Sequence, residues 1–208
     1  MKRILVLAPN TDDGELGCGG TIAKLLAEGC SVFYAAFSVC EDSVPAGMPK
    51  NILETEVKNA TATLGVASEN LLIYRYPVRR FDEHRQSILD DMVVMNRTIK
   101  PDLVIMPGRN DIHQDHQVIA AEGIRAFKRC SILCYEMVWN NISTNITAFI
   151  KLSQEHIDKK VGAMQCYSSQ QKIREYMNRD FIESLAKVRG VQIDAQYAEG
   201  FEVVRWIL

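Results

Sequence analysis

The sequence has no apolar run of the ~18 residues that a membrane span requires. It has no excess of basic charge. Its 24 Lys and Arg against 26 Asp and Glu leave a formal net charge of -2, so no global positive field favours nucleic acid or an anionic membrane. It has no C-x-x-C pair among its six cysteines. They stand mostly in apolar segments, which points to buried reduced thiols rather than a disulfide framework. A Walker motif is absent. Gly17-Cys18-Gly19 is not a dinucleotide fingerprint, because position 22 is Ile where the third glycine belongs. The apolar start, Met1 to Ala8, is too short for a signal peptide and meets Asn10 to Asp13 at once. A cytoplasmic protein with no nucleic-acid partner and no membrane span is expected.

What remains is an ordinary globular composition, 47% apolar and 24% charged over 208 residues. That length can bury a core as one domain, residues 1–208. Short apolar runs alternate with amphipathic ones. Strands are expected at Arg3 to Ala8, Ser31 to Phe37, Leu71 to Tyr76, Asp102 to Met106, Ser131 to Tyr135 and Phe201 to Trp206, with an edge strand at Ile146 to Leu152. Helices are expected at Thr21 to Glu28, Asn51 to Leu64, Asp82 to Lys100, His113 to Lys128, Gln154 to Cys166 and Gln171 to Arg189. The glycine-rich stretch Gly14 to Gly20 reads as the loop between the first strand and first helix. Alternating strands and helices predict an α/β fold: a Rossmann-like, doubly wound, mostly parallel sheet with helices on both faces. In such a sheet the first and fourth strands are neighbours, and ligands bind past their carboxyl ends.

Two polar clusters follow those two strands. Asp12-Asp13 follows the first, and Asp111-Ile112-His113-Gln114-Asp115-His116 the fourth. His113 and His116, three apart, share one side of a first helical turn. Together the clusters suit a metal site. Asp13 and His116 serve as ligands, Asp12 as a base for the attacking water, and His113 as the group on the carbonyl side. The bland alternatives are a common Asp-Asp-Gly turn, structural histidines, and Asp115 as a helix N-terminal charge. Cys18 is read as a packing residue. Arg79 and Arg80 read either as contacts for an anionic group on a substrate or as solvated loop charges.

Asn10-Thr11-Asp12-Asp13-Gly14-Glu15-Leu16-Gly17-Cys18-Gly19-Gly20-Thr21, with His113-Gln114-Asp115-His116, resembles the LmbE-like, or PIG-L-type, zinc-dependent N-deacetylases. Tyr167 to Gln170 and Tyr197 to Phe201 also look like family features. The resemblance implies zinc held by Asp13 and His116, Asp12 as general base, His113 assisting the tetrahedral intermediate, and Asp115 orienting a histidine. It implies a small amino-sugar substrate, nucleotide-linked forms included, and a family that often forms homo-oligomers. Asn10 departs from it: the family has a histidine ligand there, and a neutral amide holds zinc less well. Three readings stand open: an engineered inactivating change, a natural variant with a weaker or different metal, or a silent sugar-binding protein. Two histidines with one carboxylate also suit non-haem iron, although Asp12 beside Asp13 suits hydrolysis better. Leu53 stands three residues before Glu56, where an arginine is often seen.

Overall fold

The computed structural model describes residues 2–171 and 174–207. In chain order its elements are β1 (Arg3–Ala8), α1 (Asp13–Ala27), β2 (Ser31–Ala36), α2 (Ile52–Leu64), β3 (Leu71–Ile73), α3 (Arg85–Ile99) and β4 (Leu103–Pro107). There follow α4 (Gln114–Ala126), β5 (Ser131–Tyr135), β6 (Ala148–Leu152), α5 (Gln154–Gln165), α6 (Ser168–Gln171), α7 (Arg179–Val191) and β7 (Tyr197–Arg205).

The strands form one sheet in the order β3-β2-β1-β4-β5-β7-β6. The first five strands pair in parallel, while β7 runs antiparallel to both β5 and β6. Strands β1 and β4 are continuous apolar runs because helices cover both faces of the sheet. On one face, Leu16, Ile22, Val57, Val161 and Ile182 from α1, α2, α5 and α7 pack on Ile4, Val6 and Tyr34. On the other, Met92 and Ile119 from α3 and α4 pack on Leu5, Leu7 and Val104. The strand order reverses between β1 and β4, so the loops leaving these two strands open into one crevice. No disulfide forms among the described residues, and Cys18, Cys40, Cys130 and Cys134 are buried.

The largest departure from expectation is the glycine stretch. It is helical, because α1 begins at Asp13. Glycine is a poor helix former, but here it lets the helix lie against the sheet. A Cβ on Gly14 would sit 2.6 Å from Tyr34 Oη, and one on Gly17 2.4 Å from Tyr135 Cδ2. Close packing overrides the local preference.

The helix is broken at Cys18 (φ -148°, ψ 26°), and a break strands backbone donors and acceptors. A buried ion pair collects them. Lys160 Nζ donates to the Leu16 carbonyl at 2.6 Å and to Glu199 Oε1 at 2.7 Å. The Glu199 carboxylate accepts from Gly20 N–H at 3.0 Å and Thr21 N–H at 2.7 Å.

Smaller differences have local causes. The helix expected from Asp82 opens as a 3-10 turn, Phe81–His84, before α3. Strand β7 starts at Tyr197, four residues earlier than expected, and gives β6 its edge position. The helix expected over 171–189 is replaced by α6, a 3-10 turn at Glu175–Met177, and α7. Asn178 caps α7 by accepting the Phe181 N–H at 2.8 Å. Lys172 and Ile173, which that expectation included, lie outside the described residues.

Candidate active site

The crevice at the β1/β4 reversal is a cleft of about 270 Å³. Asn10, Asp12, Asp13, His113, His116 and Arg79 all line it, so the two sequence clusters do meet. Arg80 does not line it. Its guanidinium turns to Glu83 at 4.0 Å, on the exposed surface.

His113 is the N-cap of α4, which puts both histidines at the helix start. Their ring centroids are 4.6 Å apart. Asp111, in the loop before the helix, fixes both. Its Oδ1 accepts the His113 N–H at 2.8 Å, and its Oδ2 lies 2.7 Å from His116 Nδ1. This fixes which edge of the His116 ring faces the cleft: Nε2 lies 3.1 Å from Asp13 Oδ2. The same Asp13 oxygen accepts the Asn10 N–H at 2.8 Å.

Asp115 does not hold a histidine with its carboxylate. That carboxylate accepts the N–H groups of Arg79 at 2.7 Å and Phe81 at 3.4 Å. Its own N–H donates to His113 Nδ1 at 3.2 Å. Asp111, five residues from His116, therefore has the orienting position expected of Asp115. Helical spacing cannot reveal it, because Asp111 stands before the helix begins.

Electrostatics separate the acids. Burial and the adjacent Asp13 charge push the Asp12 carboxyl up to about 7. Burial also acts to raise Asp13, but the charge and hydrogen bond of His116 outweigh it and hold the carboxyl low. Burial acts to lower His116, but Asp13 and Asp111 outweigh it and push the imidazole up to about 10. His113 is lowered by burial and by the His116 charge. A neutral His113 whose Nδ1 accepts a backbone N–H carries its hydrogen on Nε2, a donor.

A metal fits this arrangement in part. Two donors about 2.0–2.1 Å from one tetrahedral zinc ion stand roughly 3.3 Å apart, close to the Asp13–His116 separation. The carboxylate behind His116 is the usual support for a metal-bound imidazole. The third position is weak. Among the described residues no group of three His, Cys, Asp or Glu side chains is arranged to hold a metal. Asn10 offers only an amide oxygen, which already accepts the Cys40 thiol at 3.1 Å.

Other residues support the site, some of them within the stretches that carry the family resemblance. Tyr34 and Tyr167 hydroxyls both donate towards the Thr11 carbonyl, at 3.0 and 2.7 Å, and both reach Glu15. They brace the Asn10–Asp13 loop from beneath. Burial pushes the Glu15 carboxyl up to about 8 against the hydrogen bond of Tyr34. Glu56 accepts from Ser168 Oγ at 3.0 Å and from Ser169 N–H at 2.9 Å. That contact fixes the turn from which Gln170 reaches the cleft. Arg174, Trp139 and Tyr176 complete the rim, the last two stacked at 3.7 Å. Leu53 lines the cleft where the resemblance would put an arginine.

Among sequence families, the PIG-L (GlcNAc-PI de-N-acetylase) profile matches residues 5–127, more than half of the chain. The conserved protein TT1542 of Thermus thermophilus superposes with a TM-score of 0.81 at 25% identity, over 100% of this chain and 97% of that one. The N,N'-diacetylchitobiose deacetylase of Pyrococcus horikoshii gives 0.80 at 19% identity, over 98% and 84%. The 4-carboxy-2-hydroxymuconate hydratase of Pseudomonas putida gives 0.77 at 18%, over 100% and 98%. The fold is thus shared by enzymes of different chemistry, and the reaction must be argued from the site.

Proposed function

Because the chain belongs to the PIG-L family of GlcNAc-PI de-N-acetylases, we propose that it is a metal-dependent hydrolase that removes an N-acetyl group from an amino sugar or its conjugate. The observation that carries this reading is the pairing of Asp12 with Asp13 and His116 in one cleft, His116 being held from behind by Asp111. The similarity to a diacetylchitobiose deacetylase supports an N-acetyl sugar as substrate.

Asp13 and His116 are the residues that would hold the cation, zinc by family resemblance, with the Asn10 amide as a third, weaker donor. When bound, such an ion supplies a Lewis acid and lowers the pKa of its water. The chain's own groups do the rest. Asp12, with a carboxyl near 7, is matched to take a proton from attacking water at neutral pH. Neutral His113 presents its Nε2–H to the oxygen that gains charge as the amide carbonyl is attacked. The amine leaves, with Asp12 returning the proton. Asp111 keeps His116 Nδ1 occupied, so that Nε2 is the free donor.

Metal binding has a testable proton signature. With its imidazole pushed up to about 10, His116 is protonated at pH 7.5 and must lose that proton to become a ligand. Calorimetry in buffers of different ionisation enthalpy is expected to show about one proton released from His116 per zinc. Binding without proton release would contradict the ligand assignment. Asn10→His is expected to tighten zinc by at least about tenfold to a hundredfold, the scale reported for lesser changes around a metal.

A second reading has its own observation. The Asn10 oxygen is engaged by Cys40, which suits a silent sugar-binding protein that keeps the cleft. Tight sugar binding without turnover, unchanged by Asn10→His, would favour it.

A further inference from the structure

Glu15 is a buried acid with no part in the proposed reaction. It is 0% exposed, and among the described residues no salt bridge reaches it, although burying a carboxyl group is costly without partners. Helix capping does not account for it. Asp12 is the N-cap of α1, and Glu15 stands three residues later, where an acid ordinarily reaches back to the N-cap N–H. Here the Glu15 carboxyl group turns instead to two tyrosine hydroxyls, those of Tyr34 on β2 and of Tyr167 between α5 and α6.

The same two hydroxyls reach the Thr11 carbonyl, at 3.0 Å from Tyr34 and 2.7 Å from Tyr167. All four residues are buried. The carbonyl belongs to the rigid peptide unit that ends on the Asp12 Cα. Holding its oxygen with two donors sets the plane from which Asp12 departs. Asp12 depends on that plane, because its side chain makes no capping hydrogen bond. Neighbouring Asp13, by contrast, is tied to the Asn10 N–H and to His116.

We propose that Glu15 is a positioning residue for Asp12: it ties together the Tyr34 and Tyr167 hydroxyls, and these aim the general base through the Thr11 carbonyl. The proposal rests on the deacetylase reading, in which Asp12 is the base.

The test compares Tyr34→Phe/Tyr167→Phe, Glu15→Leu and Glu15→Gln, each with zinc and an N-acetylated amino sugar, the rate being counted per bound zinc. In the first two, kcat is expected to fall about tenfold to a hundredfold, the cost of misplacing a catalytic group by about 1 Å, with KM and zinc affinity unchanged. Glu15→Gln is expected to keep the rate, since its amide has the same shape and offers both a donor and an acceptor. In an Asp12→Asn background the phenylalanine pair is expected to cost nothing further, because effects that pass through one group do not add. An undiminished kcat in the phenylalanine pair, a Glu15→Gln protein as slow as that pair, or a loss that persists in the Asp12→Asn background would overturn the proposal. Each phenylalanine removes a single oxygen atom, so this pair decides the question if Glu15→Leu does not fold. Independently of turnover, the NMR signals of the Thr11 carbonyl carbon and the Asp12 amide are expected to move in the phenylalanine pair. Unmoved signals would overturn the proposal. Moved signals with no acetate released by the unsubstituted protein would count against the deacetylase reading instead.

Discussion

Asp12→Asn is expected to lower kcat by about 10²–10⁴-fold, the range for removing a positioned general base, while zinc stoichiometry stays unchanged. The proposed ligands are Asp13 and His116, whose Oδ2 and Nε2 lie 3.1 Å apart, and not Asp12. The substitution should not unfold the protein. Burial and Asp13 raise the folded Asp12 carboxyl to about 7 from an ordinary 3.8. A carboxyl raised in the fold adds most to stability below its unfolded value and loses that contribution as pH rises through 7. Removing the charge therefore helps the fold, increasingly from about pH 4 to 7 and steadily above. Urea midpoints of the metal-free proteins across that range check this, and a lower midpoint for Asp12→Asn at pH 8 would contradict it. The acid limb of kcat/KM is expected no higher than about 7, since a bound cation lowers the Asp12 carboxyl further.

Lys160→Met is expected to destabilise the protein by about 3–5 kcal/mol, the cost of stranding one partner of a buried ion pair. Glu199 would be left as a buried charge. The Leu16 carbonyl would lose its donor at the break in α1. Because unfolding a chain of this size moves its midpoint by about 2–4 °C per kcal/mol, the thermal midpoint should fall by roughly 10 °C. Glu199→Gln weakens the same cluster, so the two substitutions together should cost less than the sum of their separate effects. Thermal unfolding of the four proteins completes the cycle. Strict additivity would show that the two side chains act independently and that the break is held otherwise. The consequence reaches function because α1 begins at Asp13, one turn before Leu16.

Much of this arrangement was readable from residues alone. The apolar runs of β1 and β4 and their place in an alternating pattern implied that they are neighbours. That pattern alone brings Asp12-Asp13 and His113/His116 together. Features that depend on side chains distant in sequence were hidden. Gly14 to Gly20 looked like a loop because glycine disfavours helix. Only Tyr34 and Tyr135, on two other strands, explain why the helix must lack side chains at Gly14 and Gly17. The family resemblance implied Asp115 as the partner of a histidine, yet the loop geometry gives that place to Asp111. Arg174 and Tyr34 carry no motif, because nothing in one dimension marks which arginine or tyrosine will face a cleft or brace its loop.

The most direct test of the central claim is acetate release. The protein is incubated with zinc and N-acetylated amino sugars, neutral and anionic, and both acetate and the freed amine are measured. Equal amounts of the two products are predicted, faster in Asn10→His and lost in Asp12→Asn. No acetate from any of these substrates, with zinc bound to both the unsubstituted protein and Asn10→His, would contradict the account.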